Sequence, residues 1–166
     1  MLEKPLEGLR VAILATNGFE ESELVEPRKA MDAAGAKTRL VAPDGGTLQG
    51  MSHAGKGNRV QVDRKLGEAS PDEFAAVLLP GGVANADNLR VNPEAQKFVR
   101  IADSAKKPIA VICHGPWLLV SAGLVQGRHL TSYHTLHDDL RNAGANWCDQ
   151  EVIRDTAKWC GYFLNI

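Results

Sequence analysis

The chain has 166 residues, room for one ordinary domain with its own core. Its 44% hydrophobic and 23% charged residues exclude a disordered chain, and 19 basic against 20 acidic residues lack the excess of a nucleic-acid binder. The longest apolar stretch, Trp117 to Val125, is too short to cross a bilayer, and MLEKPLEGLR has no signal-peptide core; the odd count of three cysteines fits reduced thiols in the cytoplasm.

Leu9 to Ala15 is a near-continuous apolar run of strand length, as expected of a strand buried on both faces. Ser22 to Ala34 follows as a helix, with Gly35 placed to cap it and Pro27 expected to kink it or start its main body. Lys37 to Ala42 is a second strand, closed by Pro43-Asp44-Gly45-Gly46. The Gly-rich, alternating stretch from Thr47 to Asp63 predicts a small hairpin over the sheet edge. Ala75 to Leu79 is a third core strand ending in Pro80-Gly81-Gly82. Pro93 to Ala105 is a helix, Pro108 to Ile112 a fourth strand, and Gly115 to Ala122 a helix stopped by Gly123. A short strand near His129 to Ser132, a helix from Thr135 to Ala143 and an extended piece around Glu151 to Ile153 complete the pattern. This rhythm predicts one α/β domain over residues 1–166: a flavodoxin-like three-layer sandwich, its mostly parallel sheet covered by helices on both faces.

Ligands of such sheets bind outside the carboxyl ends of the strands. Three ends are chemically rich: Gly18 to Glu23, Pro80-Gly81-Gly82, and Cys113-His114-Gly115-Pro116. At the third, a strand delivers Cys113 and a helix begins almost at once, the arrangement of a nucleophile elbow. The helix N-terminus is expected to favour the thiolate and lower the thiol pKa, and Gly115 leaves room for close backbone approach. A lone strand-end cysteine would more simply be core. The adjacent His114 tips the reading toward a nucleophile. Three clustered acids, Glu20, Glu21 and Glu23, stand at a helix start, and physics alone does not choose among them.

AVICHGPWLL (Ala110 to Leu119), GFEESELVEP (Gly18 to Pro27), LLPGG (Leu78 to Gly82), LTSYHTLHDDLRNAGANW (Leu130 to Trp147) and DQEVIRD (Asp149 to Asp155) together resemble the PfpI-type intracellular protease and general stress protein family. This family belongs to the superfamily of the parkinsonism-associated deglycase and class I glutamine amidotransferase domains. The resemblance implies that Cys113 is the nucleophile and that Glu23, protonated, hydrogen-bonds its sulfur. It implies that His114 is the base, oriented by an acid from a neighbouring subunit; Asp87, in the loop after Gly82, is nearest to that position. Backbone N–H groups of Gly82 and His114 would form an oxyanion hole, against the simpler reading of Gly81-Gly82 as a tight turn.

On this resemblance we expect a cofactor-free, metal-free cysteine hydrolase acting on reactive carbonyls, their adducts, or peptides, working as a homodimer or larger homo-oligomer. The alternative is a sensor or protective binding protein that works through oxidation of Cys113. Neither nucleic acid nor membrane is an expected partner.

Other signals are set aside. Gly50 to Lys56 fits the start of a phosphate loop, but Gly57 stands where Ser or Thr must hold magnesium. His134, His137 and Asp138 could share a helix face yet lack a fourth ligand, so they read as a solvated face. Trp117 reads as core packing, Cys148 as structural, and Tyr133 approaches the site only by family analogy. After Asp155 the chain departs from the family: Thr156 to Ile166 has no clear helical or strand period. We expect a truncated or frame-shifted terminus that leaves a helix face or sheet edge uncovered.

Overall fold

The computed structural model describes residues 4–53 and 55–155, and the backbone of 161–164. The chain begins with β1 (Arg10–Leu14), β2 (Phe19–Glu20), α1 (Glu21–Ala33) and β3 (Lys37–Ala42). The hairpin β4 (Thr47–Ser52) and β5 (Gly55–Gln61) leads to β6 (Arg64–Lys65), β7 (Ala76–Leu79), α2 (Val83–Arg90) and α3 (Pro93–Ser104). Then come β8 (Ile109–Ile112), α4 (Pro116–Ser121), β9 (His129–Leu130), α5 (His137–Asn142), β10 (Asn146–Trp147), β11 (Val152–Asp155) and β12 (Gly161–Leu164).

The central sheet runs β11-β12-β8-β7-β1-β3-β6, parallel throughout except for the β11–β12 pair at one edge. Successive side chains point to opposite faces, so each core strand feeds two cores. Ala12, Leu14, Val77, Leu79, Ile109 and Val111 join a core that includes Leu89 of α2, Phe98 of α3, Leu118 of α4 and Leu140 of α5. Ile13, Leu40, Leu78 and Ile112 face the other way, against Leu24 of α1 and Leu48 of the hairpin. The expected three-layer α/β sandwich is the observed one.

Four details differ from the sequence reading. Pro27 lies inside α1, which continues through it as one 13-residue helix. The hairpin β4–β5 forms a separate three-stranded sheet with β2, pairing Phe19 with Gly50 and Glu20 with Met51. The short strand β9 pairs with β10 outside the central sheet. The fourth correction concerns the terminus. Gly161–Leu164 is a strand after all, parallel to Ile109–Ile112 on one side and antiparallel to Val152–Asp155 on the other. The edge of β8 is therefore paired, contrary to the uncovered edge expected. Pairing partners far along the chain can recruit a strand whose own residues carry no periodic signal. Thr156 to Cys160, Asn165 and Ile166, on which the rest of that expectation falls, lie outside the described residues.

Candidate active site

The carboxyl ends of β1, β7 and β8 meet at one end of the sheet, as a doubly wound fold dictates. At the end of β8, Cys113 has a φ of 56°, a left-handed conformation unusual for a residue with a side chain. The turn is held on both sides: Gly115 N–H donates to Ile112 O at 2.8 Å, and Tyr133 N–H donates to Cys113 O at 2.9 Å. Holding Cys113 there costs about 1–3 kcal/mol, which the surrounding packing must offset, and such outliers cluster at functional sites. The helix that follows starts at Pro116, so the strand, tight turn and helix of a nucleophile elbow are all present.

The three acids at the start of α1 have separate tasks. Glu23, 4% exposed, turns inward, where its Oε2 accepts the Gly81 N–H at 2.6 Å and its carboxyl hydrogen-bonds the Cys113 thiol. Glu21 points outward and grips the hairpin: Oε2 accepts the Asn58 N–H at 2.6 Å and Oε1 the Asn58 side-chain amide at 2.8 Å. Glu20 accepts the His53 N–H at 3.2 Å. The choice that residue types leave open falls on Glu23.

Glycine is required at two positions beside it. A Cβ on Gly81 would stand 2.5 Å from Glu23 Oε2 and 2.7 Å from Cys113 Cβ. Gly82 has a φ of 87°, and a Cβ there would collide with Gly18 O. The simple-turn reading of this pair is therefore too weak: the glycines let the β7 end pass between Glu23 and Cys113.

Burial raises the Glu23 carboxyl to about 7, although the Gly81 N–H and the Cys113 thiol pull the other way. The thiol is pushed up as well, to about 12, by burial first and then by the charge of an ionised Glu23. Backbone N–H groups of Gly82 and His114 point at the sulfur and act in the opposite sense. The expected lowering of the thiol pKa is thus not found, because desolvation at 8% exposure outweighs the donors of a short turn. With the proton on Glu23 its charge is gone, and its O–H becomes a third donor toward the sulfur.

His114 completes the centre. Its Nδ1 lies 3.1 Å from Cys113 Sγ, within proton-transfer reach. Burial lowers its pKa, and the nearby His134 adds to this, so the ring is neutral and free to accept a proton. Aromatic neighbours orient it: Tyr133 stacks at 4.8 Å between centroids, and Trp117 meets it edge-on at 5.4 Å. Tyr133 is therefore at the site, and Trp117 does more than fill the core. Asp87 is not in a loop but in α2, exposed, and among the described residues no carboxylate hydrogen-bonds the His114 ring within the protomer.

Asn85 is a member that sequence reasoning missed. Fully buried in α2, its Nδ2 donates to Pro80 O at 3.0 Å and Gly81 O at 2.8 Å, and its Oδ1 accepts the Thr16 N–H at 2.6 Å. One side chain thus ties the ends of β1 and β7 together. The resulting cleft of about 510 Å³ is lined by Glu23, Cys113, His114 and Tyr133 on its inner side and by Met51 and His53 of the hairpin on its outer side. No three metal-ligating side chains gather among the described residues; His137 Nε2 meets Asp138 at 3.0 Å, while the His134 ring meets Tyr133 at a tilt of 43°, 4.4 Å between centroids. Among the described residues no helix is long and apolar enough to cross a membrane.

An α/β sandwich with a cysteine at its elbow, a buried acid at the sulfur and a histidine beside it defines a class of cysteine-centred domains. Residues 9–159 match the DJ-1/PfpI family, and the chain belongs to it. It is 38% identical over 147 residues to "Deglycase PfpI" of Pyrococcus furiosus, covering 89% of this chain and 86% of that one. It is 35% identical over 147 residues to "General stress protein 18" of Bacillus subtilis, covering 88% and 83%. Among solved structures, the DJ-1/ThiJ/PfpI-like and ferritin-like two-domain protein of Anabaena variabilis superposes with a TM-score of 0.86 at 28% identity, over 95% of this chain and 43% of that one.

Proposed function

We propose that this protein is a cofactor-free, cysteine-dependent stress enzyme acting on small reactive carbonyls and on the adducts they leave on amines. The observation that carries the reading is the convergence on Cys113 Sγ of a carboxyl, an imidazole and two backbone N–H groups in a cleft of about 510 Å³. That volume suits a small molecule. Relatives named "Deglycase PfpI" and "Protein/nucleic acid deglycase 2" (Escherichia coli, 38% identical) lend support; "Putative cysteine protease YraA" keeps the peptidase alternative in view.

With methylglyoxal, the Cys113 sulfur adds to the aldehyde carbon while the thiol proton passes to His114 Nδ1. The carbonyl π electrons move to oxygen, where the Gly82 and His114 N–H groups meet the negative charge. Protonation of that oxygen gives a hemithioacetal. Transfer of its C1 proton, through an enediol, to the neighbouring carbon yields a lactoyl thioester, which water cleaves to lactate and the free thiol. From an amine adduct, the same hemithioacetal forms as the amine leaves with a proton. Turnover of methylglyoxal to lactate, abolished in Cys113→Ala, tests the proposal; undiminished turnover in that variant would refute it.

The three donors around the sulfur also suit the oxygens of an oxidised cysteine, so a redox sensor is the second reading. Absence of turnover together with a peroxide-dependent mass gain at Cys113 would favour it. A second copy of the chain fits the outward face of α2, where Asp87 stands one helical turn from each of two exposed apolar residues, Val83 (57% exposed) and Val91 (72%). In such a homo-oligomer the partner's Asp87 would orient His114. Sedimentation of the wild type, paired with activity of Asp87→Asn, tests this. A cytoplasmic location keeps the thiol reduced between turnovers.

A further inference from the structure

We infer that the cleft selects its substrates by charge, admitting neutral and cationic carbonyl compounds and rejecting anionic ones, with Glu20 as the specificity-determining residue at the mouth. The inference rests on the proposed carbonyl chemistry and names the substrate class of that same site.

A second groove lies along α1 beside the cleft, and Glu20, Ser22 and His53 line both. Going outward from the sulfur, the carboxyls along this path are Glu23, Glu20, Glu21 and Glu26. Lys29 is the one Lys or Arg side chain among the described lining residues, and Glu26 pairs with it at 2.9 Å. His53 and His114 are the remaining titratable groups on the path apart from Cys113 and Tyr133. Among its described lining residues the inner cleft offers no Lys or Arg to a substrate carboxylate or phosphate, and the one in the outer groove, Lys29, is engaged by Glu26.

A ligand is expected here for a reason independent of those acids. His114 is 6% exposed and faces the cleft, and among the described residues its ring hydrogen-bonds through Nδ1 alone, which leaves Nε2 open to the cleft. In a single copy a substrate hydroxyl or carbonyl group would meet that nitrogen, the position that the partner's Asp87 would share in the proposed homo-oligomer. Glu20 is fixed at the mouth by the His53 N–H, and its charge is felt as far in as Glu23. A negative substrate meets repulsion at the rim and again at the sulfur, where the Glu23–Cys113 pair carries a negative charge once it has lost a proton. An ammonium or guanidinium on a carbonyl adduct is drawn inward by the same field.

The test compares two methanethiosulfonates that differ in charge, one bearing an ethylammonium and the other an ethylsulfonate group. Each reacts by attack of the Cys113 sulfur on the reagent's thio sulfur; a mixed disulfide forms, methanesulfinate leaves, and the thiol proton passes to solvent. Rates localised to Cys113 by peptide mass mapping are divided by those of a small free thiol in the same buffer. The normalised cation-to-anion ratio should be about tenfold or more at low salt and approach one in 1 M salt. Glu20→Gln should reduce it at least threefold. A ratio near one at low salt, or one that Glu20→Gln leaves intact, overturns the inference. That failure would leave the Cys113 chemistry standing. Turnover that survives in Cys113→Ala would refute the chemistry without touching the ratio.

Discussion

The floor and the outer wall of the cleft are built on different principles. The floor is the junction of three parallel strand ends, where Gly81, Glu23, Asn85 and Cys113 are all buried and each hydrogen bond between them is shielded from water. The wall is the hairpin β4–β5, whose described residues near the tip are exposed and are tied to the body there through the carboxylates of Glu20 and Glu21. Buried polar groups are costly to leave unpaired, and exposed ones can turn to water. The floor should therefore tolerate almost no change, whereas the wall can be loosened without unfolding the protein.

Asn85→Ala attacks the floor hardest. It leaves the Thr16 N–H and two carbonyls without their partner, and we expect a loss of about 3 kcal/mol in denaturant unfolding together with loss of turnover. Gly81→Ala forces a Cβ against Glu23 and Cys113; about 2 kcal/mol of stability and nearly all Cys113 reactivity should go with it.

Glu23→Gln separates stability from activity. The folded-state carboxyl titrates near 7, above its ordinary 4.5, so the native state holds a proton that the unfolded chain gives up. Between those values stability falls as pH rises, and above pH 7 the charged carboxylate burdens the fold. The glutamine variant should be more stable than wild type by about 1–3 kcal/mol at pH 8, equal to it at pH 4, and much slower in turnover. Equal stability at both pH values would contradict the burial argument.

The wall gives the smallest effect. Glu21→Ala removes both bonds to Asn58 and should leave the thermal midpoint unchanged, while KM rises by less than about tenfold and kcat holds. A large loss of stability there would erase the distinction between floor and wall.

The same contrast governs what could be read in advance. The elbow was legible because a strand, Cys-His-Gly-Pro and a helix are contiguous in sequence, and the parallel sheet was legible because its apolar runs are short and regularly spaced. Glu23 could not be told from Glu20 and Glu21 by residue type, since their tasks differ only in which chain segment folds over each. Helix α2 escaped notice because it is only eight residues long and Val83, Asn85, Asp87 and Asn88 interrupt its helix formers, and with it went Asn85 and the true setting of Asp87. Tertiary packing makes that helix, as pairing with Ile109–Ile112 makes a strand of Gly161–Leu164. The direction of the thiol shift was missed for a related reason: a helix terminus is visible in sequence, and burial is not.

The central claim is that a buried carboxyl holds its proton beside the Cys113 sulfur. Carbon-detected NMR of the protein labelled at glutamate carboxyl carbons, with Glu23→Gln to identify the resonance, follows it directly. Glu23 should titrate near pH 7, still protonated at pH 6 when ordinary glutamates are ionised. Ionisation of Glu23 below pH 5, together with the ordinary glutamates, would contradict the account.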